Sequence, residues 1–192
     1  MLTDALRVFG SSSKKYGRGF TLVELAIVLV VIAVALSFGT PALIDWMRDA
    51  QIRTAAESIL NGLQTARTEA VRRNATVEFS LIDPGGAGKT GWEAKLVNGD
   101  VLQSKPAAEA SMNAVVVQTP VDSVAYSFNG FGRAPSNGLN SDGTNVLTQI
   151  EVKSGGATEG RKMRIVITSG GEIRMCDPAV STDSDDPRKC PL

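Results

Sequence analysis

An apolar segment near the N-terminus constrains the fold of this 192-residue chain more than any other feature of its sequence. Only Thr21, Glu24 and Ser37 interrupt the apolar residues of segment 20–38. At about 1.5 Å per helical residue, such a segment nearly spans a hydrocarbon core of about 30 Å. We therefore expect residues 20–47 to form the transmembrane half of a long helix.

Three basic residues, Lys14, Lys15 and Arg18, lie immediately before this segment. By the positive-inside bias, the short leader stays in the cytoplasm and the long C-terminal part is exported to the periplasm. The sequence thus predicts four parts: a leader (1–19), a transmembrane helix half (20–47), a periplasmic domain (48–176) and a C-terminal tail (177–192).

Glu24 places a carboxylate a few residues inside the apolar segment. Insertion scales assign about 2.5–3.5 kcal/mol to an acidic residue at the centre of a membrane helix and less near its end, so such a residue is expected to have a partner. With the basic leader before it, the stretch Gly-Phe-Thr-Leu-Val-Glu-Leu at 19–25 resembles the processing site of type IV pilins and of the pseudopilins of type II secretion.

This resemblance implies roles in maturation and assembly for four residues. Prepilin peptidase is expected to cut between Gly19 and Phe20, and the new amine of Phe20 is then methylated. Glu24 is expected to neutralise the Phe20 amine of a neighbouring subunit, and Pro41 to bend or locally open the helix. The expected partners are the peptidase, other pilins or pseudopilins, and the bacterial inner membrane.

Two other interpretations of the N-terminus compete with this one. An ordinary secretory signal peptide would be cut at the small residues Ala33-Val34-Ala35, but an acidic residue inside its apolar region counts against it. A plain single-span anchor would carry the motif by accident.

The sequence contains no histidine. Ser-His-Asp and Cys-His catalysis and histidine-ligated zinc are therefore excluded. The tail acids Asp183, Asp185 and Asp186 lack the glycine and the distal glutamate of a calcium-binding helix–loop–helix. We expect no metal, no cofactor and no enzymatic activity, and a membrane-tethered enzyme that uses carboxylate chemistry is the remote alternative.

Cys176 and Cys190 are the only cysteines and lie fourteen positions apart. In an exported chain they are expected to form one disulfide, which the chain-entropy model values at about 3 kcal/mol for a loop of about 15 residues. Two free thiols are the alternative. The Asp-, Ser- and Pro-rich tail between them has little to bury, so the bridge is what we expect to hold it.

Beyond Pro41, apolar residues recur at steps of three and four, which predicts an amphipathic helix up to about Arg73. Two i,i+4 pairs, Arg53 with Glu57 and Glu69 with Arg73, are expected on its wetter sides. The predicted apolar stripe consists of Ile52, Ala55, Ala56, Ile59, Leu63, Ala66 and Ala70.

The pattern then changes to the period of two that is typical of strands. In the first of these, Val77, Phe79 and Leu81 alternate with polar residues, and Asn98-Gly99 is a strong hairpin signal. The fold class is therefore α+β and pilin-like, with one long N-terminal helix packed on one or two antiparallel sheets. The predicted strands are 76–82, 92–97, 101–103, 115–118, 124–128, 146–152, 163–168 and 173–176.

Within the pilin-like proteins, three stretches resemble the FimT/GspH group of minor pilins. They are the helix end Leu-Gln-Thr-Ala-Arg-Thr-Glu-Ala-Val-Arg-Arg-Asn at 63–74, Phe-Asn-Gly-Phe-Gly-Arg at 128–133, and the ending 173–178 with 186–190. The Cys-Asp-Pro and paired-cysteine ending is more similar to FimT than to GspH.

FimT-like proteins bind DNA through a Gly-Arg-x-Arg motif before the first cysteine, and the resemblance implies that role in natural transformation here. The matching stretch is 171–174, where Glu172 stands in place of the first arginine. The processed chain has a net charge near −3, because the leader carries +3 of a total of zero, so any DNA contact must come from a local patch. The expected patch, which would hold double-stranded DNA without sequence specificity, is Arg161, Lys162, Arg164, Arg174, Arg188 and Lys189.

The leading functional hypothesis is thus a FimT-like minor pilin that is assembled into, or primes, a type IV pilus. A GspH-like pseudopilin of a type II secretion system is the alternative.

Overall fold

The computed structural model describes residues 19–107, 112–155 and 160–191, and for residues 38–42 it describes the backbone alone. One helix, α1 (Leu22–Arg73), precedes all the described strands. The chain divides into two units, Met1–Pro41 and Ala42–Leu192, and the predicted leader lies outside the described residues except for Gly19. The strands are β1 (Val77–Ile82), β2 (Gly91–Leu96), β3 (Val101–Lys105), β4 (Ala114–Thr119), β5 (Ala125–Phe128), β6 (Gln149–Ser154), β7 (Lys162–Ile167) and β8 (Ile173–Cys176).

Side chains and backbone groups cap both ends of α1. Thr21 Oγ1 accepts a hydrogen bond from the Glu24 backbone N–H at 3.1 Å, as in a capping box. At the other end, Asn74 has a positive φ of 48°. The Ala75 N–H donates to the Ala70 carbonyl at 3.1 Å, and the Asn74 N–H donates to the Val71 carbonyl at 3.2 Å. These two bonds form a Schellman motif that ends the helix.

The second part of α1 is amphipathic, as predicted. Every residue of the predicted apolar stripe is at most 2 % exposed, and the stripe packs into one core with the inner faces of the strands. Arg53 pairs with Glu57 at 2.8 Å, and Glu69 pairs with Arg73 at 2.8 Å and with Arg72 at 2.6 Å. Because the stripe contains four alanines, the strands can approach the helix axis closely.

The strands form two four-stranded sheets in which every described pair is antiparallel. The first sheet has the order β3-β2-β1-β5, and the second has the order β4-β6-β7-β8. The chain therefore enters the second sheet at β4, returns to the first at β5 and leaves it again for β6. The predicted strand–loop pattern and the α+β class are confirmed.

Strand β1 differs from the expected one-sided pattern, because both of its faces are buried. Glu78 and Ser80 are only 6 % and 8 % exposed. The Ser127 and Ser141 hydroxyls donate to Glu78 Oε2, and Lys95 lies 3.6 Å from Glu78 Oε1. The loop that follows β5 therefore covers the outer face of the first sheet, which no local pattern in the sequence predicts.

A disulfide joins Cys176 and Cys190, with an S–S distance of 2.06 Å. The tail between them also bonds to the end of β8: the Asp177 N–H donates to the Arg188 carbonyl at 2.8 Å, and Arg174 Nη2 donates to the Pro187 carbonyl at 3.2 Å. The tail is thus held by these two hydrogen bonds as well as by the bridge.

Candidate assembly site and candidate nucleic-acid interface

The predicted cleavage site lies just before the first helical turn. Gly19 and Phe20 are outside α1, and the Phe20 side chain is 81 % exposed. A side chain added at Gly19 would meet no described atom within 4 Å. Cleavage between these residues remains a prediction.

Glu24 occupies the first turn of α1, where the positive end of the helix dipole stabilises a carboxylate. Its side chain is exposed, and no described residue forms an ion pair with it. Its pairing with the amine of another subunit remains a prediction. Its backbone N–H is already used in the cap with Thr21.

The apolar side chains that surround Glu24 make no core in this chain. Leu22, Val23, Leu25 and Ile27 are all more than half exposed. Such a surface needs cover from lipid or from other subunits. Within the described part of the chain, however, no helical segment combines the length and the hydropathy that a membrane crossing requires.

Pro41 lies inside α1, although its side chain is outside the described residues. Proline has no N–H, so the Ser37 carbonyl lacks its usual helical donor four residues on. The Ser37 hydroxyl itself donates to the Ala33 carbonyl at 2.8 Å. A weakened hydrogen-bond ladder around residues 37–41 follows from this chemistry, and the bend predicted there remains a prediction.

The predicted basic patch is divided by the fold into two groups. Arg161, Lys162 and Arg164 line a groove of about 710 Å³, whereas the other three residues lie on β8 and in the tail. The same groove is lined by Asp49, Glu151 and Asp177, so its cations and anions are equal in number. In register, Arg164 faces Cys176 and Arg174 faces Val166, which places both arginines on the outer face of the second sheet.

Two of the six cations are neutralised locally. Arg164 Nη2 lies 3.0 Å from Glu151 Oε2, its cross-strand neighbour on β6. Arg188 donates to both carboxylate oxygens of Asp186, and these bonds lower the pKa of Asp186 to about 2. Among the described residues, the other four predicted cations form no ion pair. The six residues are therefore not one uniform positive surface.

The structure places one further cation, Lys153, beside the predicted basic patch, which did not include it. Lys153 on β6 faces Lys162 on β7, so two ammonium groups project from the same face. Like charges placed directly opposite are destabilising unless an anion is nearby. Only the strand register reveals this pair, because 153 and 162 are separated by a hairpin loop.

A helix whose exposed apolar first turns carry a lone carboxylate, joined to an α+β domain of two antiparallel sheets, defines the pilin-like class of proteins. The family model described as type II transport protein GspH matches residues 55–171. The model described as the prokaryotic N-terminal methylation motif matches residues 14–40. The chain therefore belongs to the type II transport protein GspH family.

Solved structures agree with this assignment at the level of the fold. Two crystal structures of the type IV minor pilin FimU from Pseudomonas aeruginosa strain PAO1, in space groups P65 and P21, are 18 % and 17 % identical to this chain. They cover 69 % and 70 % of this chain and 98 % and 95 % of their own, with TM-scores of 0.50 and 0.51. No curated protein shows significant similarity to the sequence.

The chain is thus a minor type IV pilin or pseudopilin, and its family is structural and not enzymatic. The remote alternative of a membrane-tethered enzyme is excluded by this assignment. The methylation motif implies processing by prepilin peptidase and assembly with other pilins, and the family implies inner-membrane anchoring.

Proposed function

We propose that this chain is a FimT-like minor pilin of a type IV pilus. It is cut between Gly19 and Phe20, methylated on the Phe20 amine, and held in the inner membrane with its domain in the periplasm until it enters the filament. The observation that carries the proposal is Glu24: a carboxylate that forms no ion pair among the described residues, on an exposed apolar helix, five residues into the mature chain. Isolated in lipid such a charge is costly, but the amine of an adjacent subunit would compensate it.

Two substitutions separate the assembly role of Glu24 from its role at the helix start. Glu24→Gln removes the charge and keeps the backbone N–H that Thr21 caps. Thr21→Val removes the cap and keeps the charge. We expect Glu24→Gln to reach the membrane normally and to be depleted from sheared filaments, whereas Thr21→Val is incorporated nearly as well as wild type. Normal incorporation of Glu24→Gln would refute an assembly role for the charge, and depletion of Thr21→Val alone would assign the defect to the helix cap.

Mass spectrometry of the protein from membranes tests the processing step. We expect a mature chain that begins at Phe20 and carries one methyl group. A chain that begins at Leu36 would instead support the signal peptide. Recovery with sheared type IV pili supports the pilus assignment, and recovery only with a secretion pseudopilus supports the GspH-like alternative.

A second candidate function, DNA contact during uptake, is favoured by one observation. Lys153 and Lys162 face each other beside Arg161, and among the described residues none of the three forms an ion pair. Phosphate oxygens would relieve the repulsion between the lysines. Such contacts read no bases, so binding would be weak and salt-dependent, with a slope of about −0.9 per phosphate neutralised on duplex DNA.

Polarisation titrations of the detergent-solubilised chain at two salt concentrations test this candidate. We expect Lys162→Ala and Arg174→Ala to weaken binding and Glu172→Arg to strengthen it. Lys89→Ala is the matched control, because Lys89 is half-exposed and already pairs with Asp83. If the wild type shows no binding at low salt and Glu172→Arg creates none, these cations are ordinary solvated surface charges that bind no DNA.

A further inference from the structure

The loop after β5 is held closed by one side chain. Asn129 Oδ1 accepts hydrogen bonds from the N–H groups of Phe131 and Arg133 at 2.9 and 3.2 Å. Its Nδ2 donates to the Ala134 carbonyl at 3.2 Å, and backbone bonds join Asn129 to Gly132 and Arg133 at 2.8 Å. This loop, residues 129–134, is therefore a closed turn with little freedom.

Glycines let the loop pack between the end of α1 and the β7–β8 hairpin. A Cβ built on Gly130 would lie 2.5 Å from Asn74 Oδ1, and one on Gly132 would lie 3.0 Å from Val71 Cγ2. On the other side, a Cβ on Gly171 would lie 1.9 Å from the Gly132 carbonyl oxygen. The loop is thus fixed against two rigid elements, and its tip is presented in one position.

The tip of this rigid loop is Phe131, whose side chain is 81 % exposed. Phe79 and Phe128, the other described phenylalanines of the unit Ala42–Leu192, are fully buried. Val71, which contacts Gly132, is 52 % exposed and continues the apolar surface onto α1. Rigid, exposed aromatic side chains are the usual anchors of protein interfaces, because little conformational entropy is lost when they bind.

Positive charge surrounds this apolar pair. Arg67, which also contacts Gly132, and Arg133 are exposed, and neither forms an ion pair with any described residue. One turn along α1, Arg72 and Arg73 share the single carboxylate of Glu69. This basic rim stands out because the processed chain has a net charge near −3.

We propose that Phe131 and Val71, rimmed by Arg67 and Arg133, form the anchor by which this subunit docks on a different pilin subunit. The pocket on that partner is apolar at its base and rimmed by carboxylates. The proposal rests on the proposed function, because it requires assembly with other subunits.

Two features of the domain decide between possible occupants. The two cavities described in the domain are lined mainly by polar and charged side chains, so neither offers a matching apolar pocket on a second copy of this chain. The apolar groove on α1, lined by Leu22, Val23, Ala26, Ile27, Val30 and Val31, belongs to the segment proposed to lie in the membrane and would not meet a periplasmic Phe131. Nucleic acid is disfavoured because Glu172 is exposed on the adjoining hairpin and would repel phosphates. A carboxylate-rimmed protein pocket satisfies both the apolar pair and its basic rim.

Filament incorporation of the full chain in cells tests the proposal. We expect Phe131→Ala to lower the ratio of filament to membrane protein at least tenfold, on the order of an interface hot spot. Val121→Ala is the matched control, because Val121 is 77 % exposed elsewhere on the domain. Phe131→Leu should restore most of the incorporation, and the double variant Arg67→Glu, Arg133→Glu should lose it.

Unfolding followed by tryptophan fluorescence should show the same midpoint for Phe131→Ala as for wild type, since the ring is exposed. Benzoylphenylalanine placed at position 131 should cross-link to another subunit that carries the N-terminal methylation motif, at an Asp- or Glu-containing peptide. A cross-linked homodimer would overturn the proposal.

The outcomes separate failure of the anchor from failure of the proposed function. If wild type never enters filaments, the pilin function itself is refuted, and the anchor with it. If wild type enters and Phe131→Ala enters equally well, only the anchor is refuted. Normal incorporation of Phe131→Ala with reduced DNA binding would identify the surface as a nucleic-acid contact, which also overturns the proposal.

Discussion

The contact between the β7–β8 hairpin and the loop 129–134 can be tested with a single methyl group. Gly171 has a φ of +80°, and a Cβ at this position would lie 1.9 Å from the Gly132 carbonyl oxygen. The Ala134 N–H also donates to the Ser169 carbonyl at 3.1 Å, so the hairpin and the loop are already joined by their backbones. Gly171→Ala must therefore displace backbone on both sides.

The expected cost has two parts, which a matched variant separates. Placing alanine in the left-handed region costs about 1–2 kcal/mol. The clash requires the two backbones to separate by more than 1 Å to reach the 3.0 Å that real Cβ contacts respect, and overpacking of this kind costs about 1–3 kcal/mol. Gly138 has a similar φ of +68°, but no described atom lies within 4 Å of a built Cβ. Gly138→Ala therefore measures the first part alone.

Urea unfolding of the full chain in detergent, followed by the fluorescence of Trp92, measures both variants; Trp92 is 3 % exposed in the core. We expect a loss of about 1 kcal/mol for Gly138→Ala and about 3 kcal/mol for Gly171→Ala, a large fraction of a typical domain stability of about 5–15 kcal/mol. Equal losses would show that the hairpin and the loop are not in contact, and the rigid presentation of Phe131 would then lose its basis.

Two further predictions concern the tail and the end of the helix. Replacing Cys176 and Cys190 by serine should lower the free energy of unfolding by about 3 kcal/mol and expose the tail to proteolysis, whereas the Arg174→Ala variant should keep the tail protected. The pKa of Glu69 is lowered to about 2 because the guanidinium groups of Arg72 and Arg73 donate hydrogen bonds to it. Its stabilising effect should be complete above about pH 4.5 and disappear as the pH falls through about 2. NMR titration of the Glu69 carboxyl would show the low pKa, and Glu69→Gln would abolish this contribution to the pH dependence of stability.

Much of the fold could be predicted because its signals are local. The stripe from Ile52 to Ala70 is read from the 3.6-residue period, and each described strand overlaps a predicted one because of alternating apolar residues, as in β1, or turn signals, as at Asn98-Gly99. The α1 end near Arg73 was predicted where the pattern changes. The Gly19-Phe20 site and Glu24 were likewise recognised from neighbouring residues, and their roles remain predictions.

The charge balance of the basic patch could not be predicted from local sequence signals. The six predicted cations were grouped because they are close in sequence to one hairpin and one disulfide. Whether a charge is neutralised depends on its cross-strand neighbour, and the register that pairs Arg164 with Glu151, and Lys162 with Lys153, is not encoded in either strand alone.

The sequence by itself determined the helix, the strands, the cysteine pair and the N-terminal motif, because each depends on residue types a few positions apart. Only the tertiary structure decided that the chain crosses between two sheets, that Glu78 is buried under the loop after β5, and that Phe131 remains exposed while Phe128 is buried. These outcomes depend on contacts between residues far apart in the chain. Phe131 and Phe128 are three positions apart in one motif: the pairing of β5 with β1 places Phe128 in the core, and the packing of the glycines at 130, 132 and 171 holds the loop that presents Phe131.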